Sequence, residues 1–261
     1  MTPHGPLLAR LAAWGAVPTG ETWTTPTSLL AAGVLDGLAV IGEQALVEEE
    51  RRGNRLMAWW SDRGGLPVLA IEGDVLLMRR VAGGRDLAAR ALRGRDGAAA
   101  VVGVARTLHA IPAPPGLVPL TTWFRALTSA RQEDPLLRGC AVLARGLLTT
   151  TPEAEVVALH GDLHHGNVLD TGSGWAAIDP KGLSGHRAFD FANLLLNPDC
   201  DTALARLDER VAQIAALAEL PHAVLRGWTA AWCRLSLAWS DAADPAWHAR
   251  TARAVAERLL P

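Results

Sequence analysis

Lysine is almost absent from this chain: Lys181 is the only one among 25 basic residues in 261. Arginine supplies the rest, the mark of a GC-rich coding sequence. A basic excess is missing too, since 25 Lys and Arg face 27 Asp and Glu, a balance that gives no support for a nucleic acid or acidic membrane partner, which would usually need a basic face. Cysteine is scarce. Cys140, Cys200 and Cys233 are odd in number and lack CxxC spacing, which speaks against a disulfide framework or structural zinc and leaves buried free thiols as the expectation. No apolar run approaches the length of a membrane span, and Leu7 to Trp14 is too short, and interrupted by Arg10, to serve as a leader. The reading is a cytoplasmic protein without a membrane partner. No repeat or low-complexity tract is present.

What is present is a 49% hydrophobic composition, enough for one large domain or two small ones. Residues 5–15 fit a short amphipathic helix, and Thr22 to Val40 reads as two strands leading to a turn at Asp36-Gly37. Glu48 to Trp60 has helix formers and apolar residues at helical spacing, closed by Arg63-Gly64-Gly65. Leu66 to Ala70 and Val75 to Met78 read as strands around Glu72-Gly73-Asp74. From Asp86 on, Ala, Leu and Arg recur at helical spacing: helices are expected over Ala99 to His109, Thr121 to Leu148, 201–218, 221–239 and 245–259. Two short apolar segments, Val156 to Leu159 and Trp175 to Ile178, interrupt them. The expectation is a strand-rich lobe over 1–82 and a helical lobe over 83–261, an α+β chain.

Those two segments flank Leu159-His160-Gly161-Asp162-Leu163-His164-His165-Gly166-Asn167 and Ile178-Asp179-Pro180. Phosphoryl transfer from ATP needs a carboxylate to orient the acceptor hydroxyl and take its proton, and an amide oxygen and a second carboxylate to hold magnesium. The order Asp162, Asn167, Asp179 matches that template, as base and two metal ligands. His160, His164 and His165 offer a second reading, a metal-dependent hydrolase, but their order differs from the common His-x-His-x-Asp-His pattern. The plain role for His160 is to pack behind the loop and hold its backbone.

The segment resembles the HGDxHxxN and IDP motifs of aminoglycoside phosphotransferases, and its Ile178-Asp179-Pro180-Lys181-Gly182 form is similar to the streptomycin 6-phosphotransferase, or aminoglycoside/hydroxyurea resistance kinase, branch. Thr25-Pro26-Thr27-Ser28, Glu48 to Asn54, Leu76-Leu77-Met78 and Trp239-Ser240 resemble the same branch. The resemblance implies a two-lobed protein-kinase-like fold and an ATP- and Mg2+-dependent kinase. It places Thr27 and Ser28 over the phosphates, Met78, Arg79 and Val81 near the adenine, and Asp190 of Phe189-Asp190-Phe191-Ala192-Asn193 behind the catalytic loop. The implied acceptor is a hydroxylated, cationic small molecule, for which Asp199 and Asp201, with Asp208, Glu209, Asp241 and Asp244, are candidate contacts. A charge run on a helix is also simply a solvated face. Trp228, Trp232 and Trp239 fit a core equally.

One departure stands out. Kinases of this fold carry a strand lysine that touches the α and β phosphates and pairs with a helix glutamate. Alignment puts Glu43 at that position and Glu50 at the helix glutamate. No Lys or Arg occurs between Leu11 and Glu50. The expectation is therefore that no cation replaces the lysine nearby. This leaves a slow kinase using Arg51 or Arg52, or a kinase-fold ligand-binding protein with impaired catalysis.

Overall fold

The computed structural model describes residues 3–81, 83–93, 97–125, 135–239 and 247–259, without the side chains of Leu137, Trp239 and Trp247. The chain divides into two compact units, Met1–Arg85 with Leu169–Gly182, and Asp86–Val168 with Leu183–Pro261.

The first unit is built on strand alternation. Helix α1 (Gly5–Ala13), which opens with a proline in its first turn, precedes β1 (Val17–Thr24), β2 (Ser28–Leu35), β3 (Leu38–Ala45), α2 (Glu48–Trp60), β4 (Val68–Glu72) and β5 (Val75–Arg79). The strands form one antiparallel sheet in the order β1-β2-β3-β5-β4. Asp36 and Gly37 both take left-handed φ, 50° and 81°, as a two-residue hairpin turn requires, and close β2 on β3 with Leu35 opposite Leu38. Three strands stand where two were expected. β1 starts at Val17 and stops before Thr25, whose hydroxyl accepts from the amides of Thr27 and Ser28 and so turns the chain.

Successive residues of β3 and β5 point to opposite faces. Val40, Val75 and Leu77 join Leu7 and Leu11 of α1, while Ile41, Leu76 and Met78 join Met57 of α2. Gly42 has no room for a side chain, because a Cβ there would meet Leu11 Cδ2 at 2.5 Å. The second cluster also takes in Ala176 and Ile178. They follow from the hairpin of β8 (Val168–Asp170) and β9 (Trp175–Ala177), which explains why 169–182 groups with the first unit although the sequence reading put all of 83–261 in the second lobe. Asp170 fastens the same hairpin: it accepts from the guanidinium and amide of Arg85, and these bonds with the Gly172 amide hold its carboxyl well below the usual range.

The second unit is mostly helical: α3 (Leu87–Leu92), α4 (Ala98–His109), α5 (Leu120–Trp123), α6 (Pro135–Thr150), α7 (Phe189–Leu196), α8 (Cys200–Ala205), α9 (Leu207–Ala218), α10 (His222–Trp239) and α11 (Trp247–Leu259). A small sheet sets β10 (Leu183–His186) antiparallel to β7 (Val156–Leu159) and parallel to β6 (Val118–Pro119). The strands β6 and β10 were not foreseen. Each is too short, and too rich in Pro, Ser and Gly, to show a period. Phe124, Phe189 and Trp228 pack edge to face in the core, and Trp232 is buried, so these two tryptophans are core residues. Cys140 and Cys233 are buried thiols and Cys200 is half-buried. The architecture is α+β, a strand-rich lobe and a helical lobe. Among the described residues no helix is long and apolar enough to cross a membrane.

Candidate active site

Strand β7 ends in buried Leu159 and hands the chain to His160-Gly161-Asp162. Gly161 takes a φ of 86°, a conformation only glycine adopts cheaply, which lets the backbone reverse. Asp190, in the first turn of α7, closes the turn from behind: its carboxylate accepts from His160 N at 2.9 Å, Gly161 N at 2.7 Å and His109 Nε2 at 2.8 Å. Burial alone would raise this carboxyl. The His109 hydrogen bond and charge, then His160 and the Gly161 amide, outweigh it and hold Asp190 below the usual carboxylate range.

Asn193 lies one helical turn beyond Asp190, on the same face. Its Nδ2 donates to Asp162 Oδ1 at 2.7 Å, and Asn197 Nδ2 donates in turn to Asn193 Oδ1 at 3.0 Å. Asn193 is a site residue that the sequence motifs did not single out; its i, i+3 spacing from Asp190 is the signal for it. Asn167 Nδ2 donates to the Asp162 carbonyl at 2.9 Å, so the Asn167 oxygen is the end of that amide turned away from the loop backbone. The histidines serve the backbone: His160 Nδ1 accepts from Asp162 N and His164 Nδ1 from Gly166 N, while His165 is buried.

The first unit carries a second cluster of charged residues. Asp179 has a φ of 60°, an uncommon left-handed conformation for a residue with a side chain, though aspartate tolerates it better than most. Two residues on, Lys181 donates to Asp179 Oδ1 at 2.8 Å and to Glu50 Oε1 at 3.1 Å. Burial would lower the Lys181 pKa, but Asp179 and then Glu50 more than offset it, so the ammonium is held charged above its ordinary value. The expectation of no cation nearby is corrected to this extent: Lys181 reaches the helix glutamate Glu50 from the Asp-Pro-Lys segment. Close packing makes this possible. A Cβ on Gly53 of α2 would collide with the Pro180 carbonyl oxygen, and one on Gly182 would meet Arg52 Cβ at 2.9 Å.

Glu43 shares the face of β3 that Ile41 presents to α2. Ser28 Oγ donates to its Oε1 at 2.6 Å. Burial pushes the Glu43 carboxyl up to about 7; the Ser28 hydrogen bond opposes the rise, and the charges of Glu50 and Asp179 add to it. Arg51 pairs with Asp74 at 2.6 Å.

With this geometry in view, comparison with known proteins is decisive. Residues 13–243 match the model of the aminoglycoside/hydroxyurea antibiotic resistance kinase family. The chain is 39% identical over 238 residues to the streptomycin 3''-kinase of Klebsiella pneumoniae, covering 87% of this chain and 89% of that one. The chain belongs to the aminoglycoside/hydroxyurea antibiotic resistance kinases. It is also 31% identical over 190 residues to the streptomycin 6-kinase of Streptomyces griseus, covering 64% of this chain and 59% of that one. Among solved structures, a thermostable mutant aminoglycoside phosphotransferase in complex with AMP-PNP and hygromycin B aligns with a TM-score of 0.65 at 13% identity, covering 96% of this chain and 97% of that one, a likeness of fold. Membership of this resistance-kinase family makes the chain a small-molecule phosphotransferase acting on a hydroxyl.

The remaining residues of this kinase fall out as follows. Met78 turns its side chain into the cluster with Met57 and Leu66. The amides of Arg79 and Arg80 donate to Pro67 O and Ala39 O, and Val81 follows just past the end of β5. Thr27 sits in the β1–β2 turn, while Ser28 opens β2 and is buried against Glu43. Asp199 caps α8 by accepting from Thr202 N at 2.8 Å, and Asp201 is exposed in the first turn of that helix. Asp208 pairs with Arg226, and Glu209 with Arg206. Ser240, Asp241, Asp244 and the Trp239 side chain lie outside the described residues. The hydrolase reading gains no site, since among the described residues no three His, Cys, Asp or Glu side chains gather to hold a metal ion.

Proposed function

We propose that this kinase transfers the γ-phosphoryl group of ATP to a hydroxyl of a streptomycin-type aminoglycoside, with Asp162 as general base. The observation that carries the reading is the Asp162 carboxylate fixed through Oδ1 by Asn193, on a loop that Asp190 pins from behind. Oδ1 is oriented by the Asn193 amide, and Oδ2, 3.5 Å from Asn167 Nδ2, is the oxygen proposed to take the proton. In the reaction the acceptor oxygen bonds to the γ-phosphorus, the bond to ADP breaks, and the hydroxyl proton passes to Asp162.

Asn167 and Asp179 are the proposed magnesium ligands. Both offer hard oxygen donors, and the Asn167 amide already spends its nitrogen on the Asp162 carbonyl, so the donor set fits that ion. Magnesium, when bound, neutralises phosphate charge. ATP is the proposed donor, with the Val81 amide facing the adenine and the Thr27 turn near the phosphates. Asp199 and Asp201 are the proposed acceptor contacts; the cap made by Asp199 leaves Asp201 the stronger of the two.

The test is acceptor-dependent ADP formation by the purified protein with Mg-ATP and streptomycin, hydroxyurea, hygromycin B or choline. Turnover with streptomycin above the other three supports the reading, and NMR of the product shows which hydroxyl carries the phosphate. Turnover with none of them, or with choline alone, contradicts it.

A further inference from the structure

We infer that Lys181 is the nucleotide-phosphate lysine of this kinase, moved from strand β3 to the second position after Asp179 and aligned by Glu50. The inference rests on the kinase reading above but concerns a residue that reading does not use. Three observations, all within the first unit, carry it.

The helix glutamate is buried and has a lysine partner. Glu50 has a side chain 7% exposed and accepts from Lys181 Nζ at 3.1 Å, across 131 residues of sequence. A buried ionised carboxylate is costly without a cation beside it, and in this fold the cation beside the helix glutamate is normally the strand lysine. Here the strand position holds Glu43, which turns to the Ser28 hydroxyl.

The backbone is shaped for the exchange. α2 carries glycine at position 53, where any side chain would collide with the Pro180 carbonyl oxygen, and Gly182 lies as closely against Arg52. These two contacts seat the Asp-Pro-Lys segment on the helix, on either side of Lys181. Gly182 also has a φ of 66°, so the segment leaves the helix by a turn that favours glycine.

The chemistry calls for an ammonium. Arg fills every other basic position of the chain, yet the residue between Glu50 and Asp179 is lysine. A compact ammonium can donate to Asp179 and Glu50, with Glu49 beyond hydrogen-bond reach at 3.9 Å, and still turn a third donor to a phosphate oxygen, whereas a planar guanidinium spreads its donors over a fork. Its charge is preorganised: the ion pair holds Nζ in place before nucleotide arrives. A donor of that kind acting on the transferring phosphates contributes on the order of 10² to 10³ in rate.

The test compares the parent, Lys181→Met and the double variant Lys181→Met with Glu43→Lys. Mg-ATP affinity is read by calorimetry, folding by thermal melting, and transfer by separate KM values for ATP and acceptor. The inference predicts that Lys181→Met weakens Mg-ATP binding about tenfold or more and lowers kcat/KM for ATP by roughly 10² or more, with acceptor KM within about threefold. Returning the lysine to β3 in the double variant should regain at least about tenfold and restore the melting temperature if the single change lowers it. Mg-ATP affinity and kcat/KM for ATP within about threefold of the parent in Lys181→Met overturn the inference while leaving the kinase reading intact. Equal losses toward ATP and acceptor with no recovery in the double variant also overturn it, as a structural role only. A parent that binds no Mg-ATP and transfers no phosphate sinks both.

Discussion

Replacing Asp190 with alanine removes the acceptor of three hydrogen bonds, from His160 N, Gly161 N and His109 Nε2. Asp190 is 2% exposed. Each buried donor left without a partner costs roughly 1–3 kcal/mol. Water entering the space vacated by the carboxylate recovers part of this, so the expected net loss is about 3–5 kcal/mol. That is a large share of the roughly 5–15 kcal/mol that holds a domain together. Asp190→Asn keeps the shape and one acceptor oxygen but turns an N–H toward a donor, so it should fall between parent and alanine. Because the folded Asp190 pKa is depressed, its contribution is present above the unfolded carboxyl range and lost as pH falls through the folded value. Denaturant unfolding followed by tryptophan fluorescence gives the stabilities, and hydrogen exchange reads the His160 and Gly161 amides. A cost under about 1 kcal/mol for Asp190→Ala, or both amides staying as protected as in the parent, would show that Asp190 does not hold this turn.

Three further outcomes follow from single contacts. Gly53→Ala gains about 1 kcal/mol of helix propensity but must push α2 off the Pro180 carbonyl, so it should lower stability by roughly 1–3 kcal/mol; a raised melting temperature would mean the contact is absent. Glu43 has its folded pKa raised to about 7, so its contribution is full below the unfolded carboxyl range and lost as pH rises through about 7. In nucleotide-free protein the parent should therefore lose up to about 3 kcal/mol relative to Glu43→Gln between pH 4.5 and 7, and parallel stability profiles would count against that. Asn193→Ala should lower kcat about tenfold, since a hydrogen bond to a charged group is worth roughly 1.5–3 kcal/mol, with the ATP KM unmoved; a rise in the ATP KM alone would place Asn193 elsewhere.

What the sequence could show was whatever lies close along the chain. The Asp36-Gly37 turn, the α2 span and the β7 strand depend on local spacing, and His160 to Asn167 folds largely on itself. The two lobes were legible because alternation and helical periodicity change over near Asp86. The β8–β9 hairpin was assigned to the other lobe because its destination is set by where Ala176 and Ile178 find an apolar face, which no local pattern reveals. Lys181 was seen but left as part of its own motif, because its partner Glu50 is brought to it by Gly53 and Gly182 rather than by spacing. Asn193 went unassigned for the same reason: its helix face was readable, but the loop it meets was not.

Asp162 is proposed to take the acceptor proton in phosphoryl transfer, and Asp162→Asn isolates that step. The substitution keeps the shape and the Asn193 neighbour but removes the base. Single-turnover transfer from Mg-ATP to streptomycin, followed by mass spectrometry of the phosphorylated product, should slow by roughly 10² to 10⁴, with Mg-ATP affinity and melting temperature close to the parent. Transfer within about tenfold of the parent rate would contradict the account.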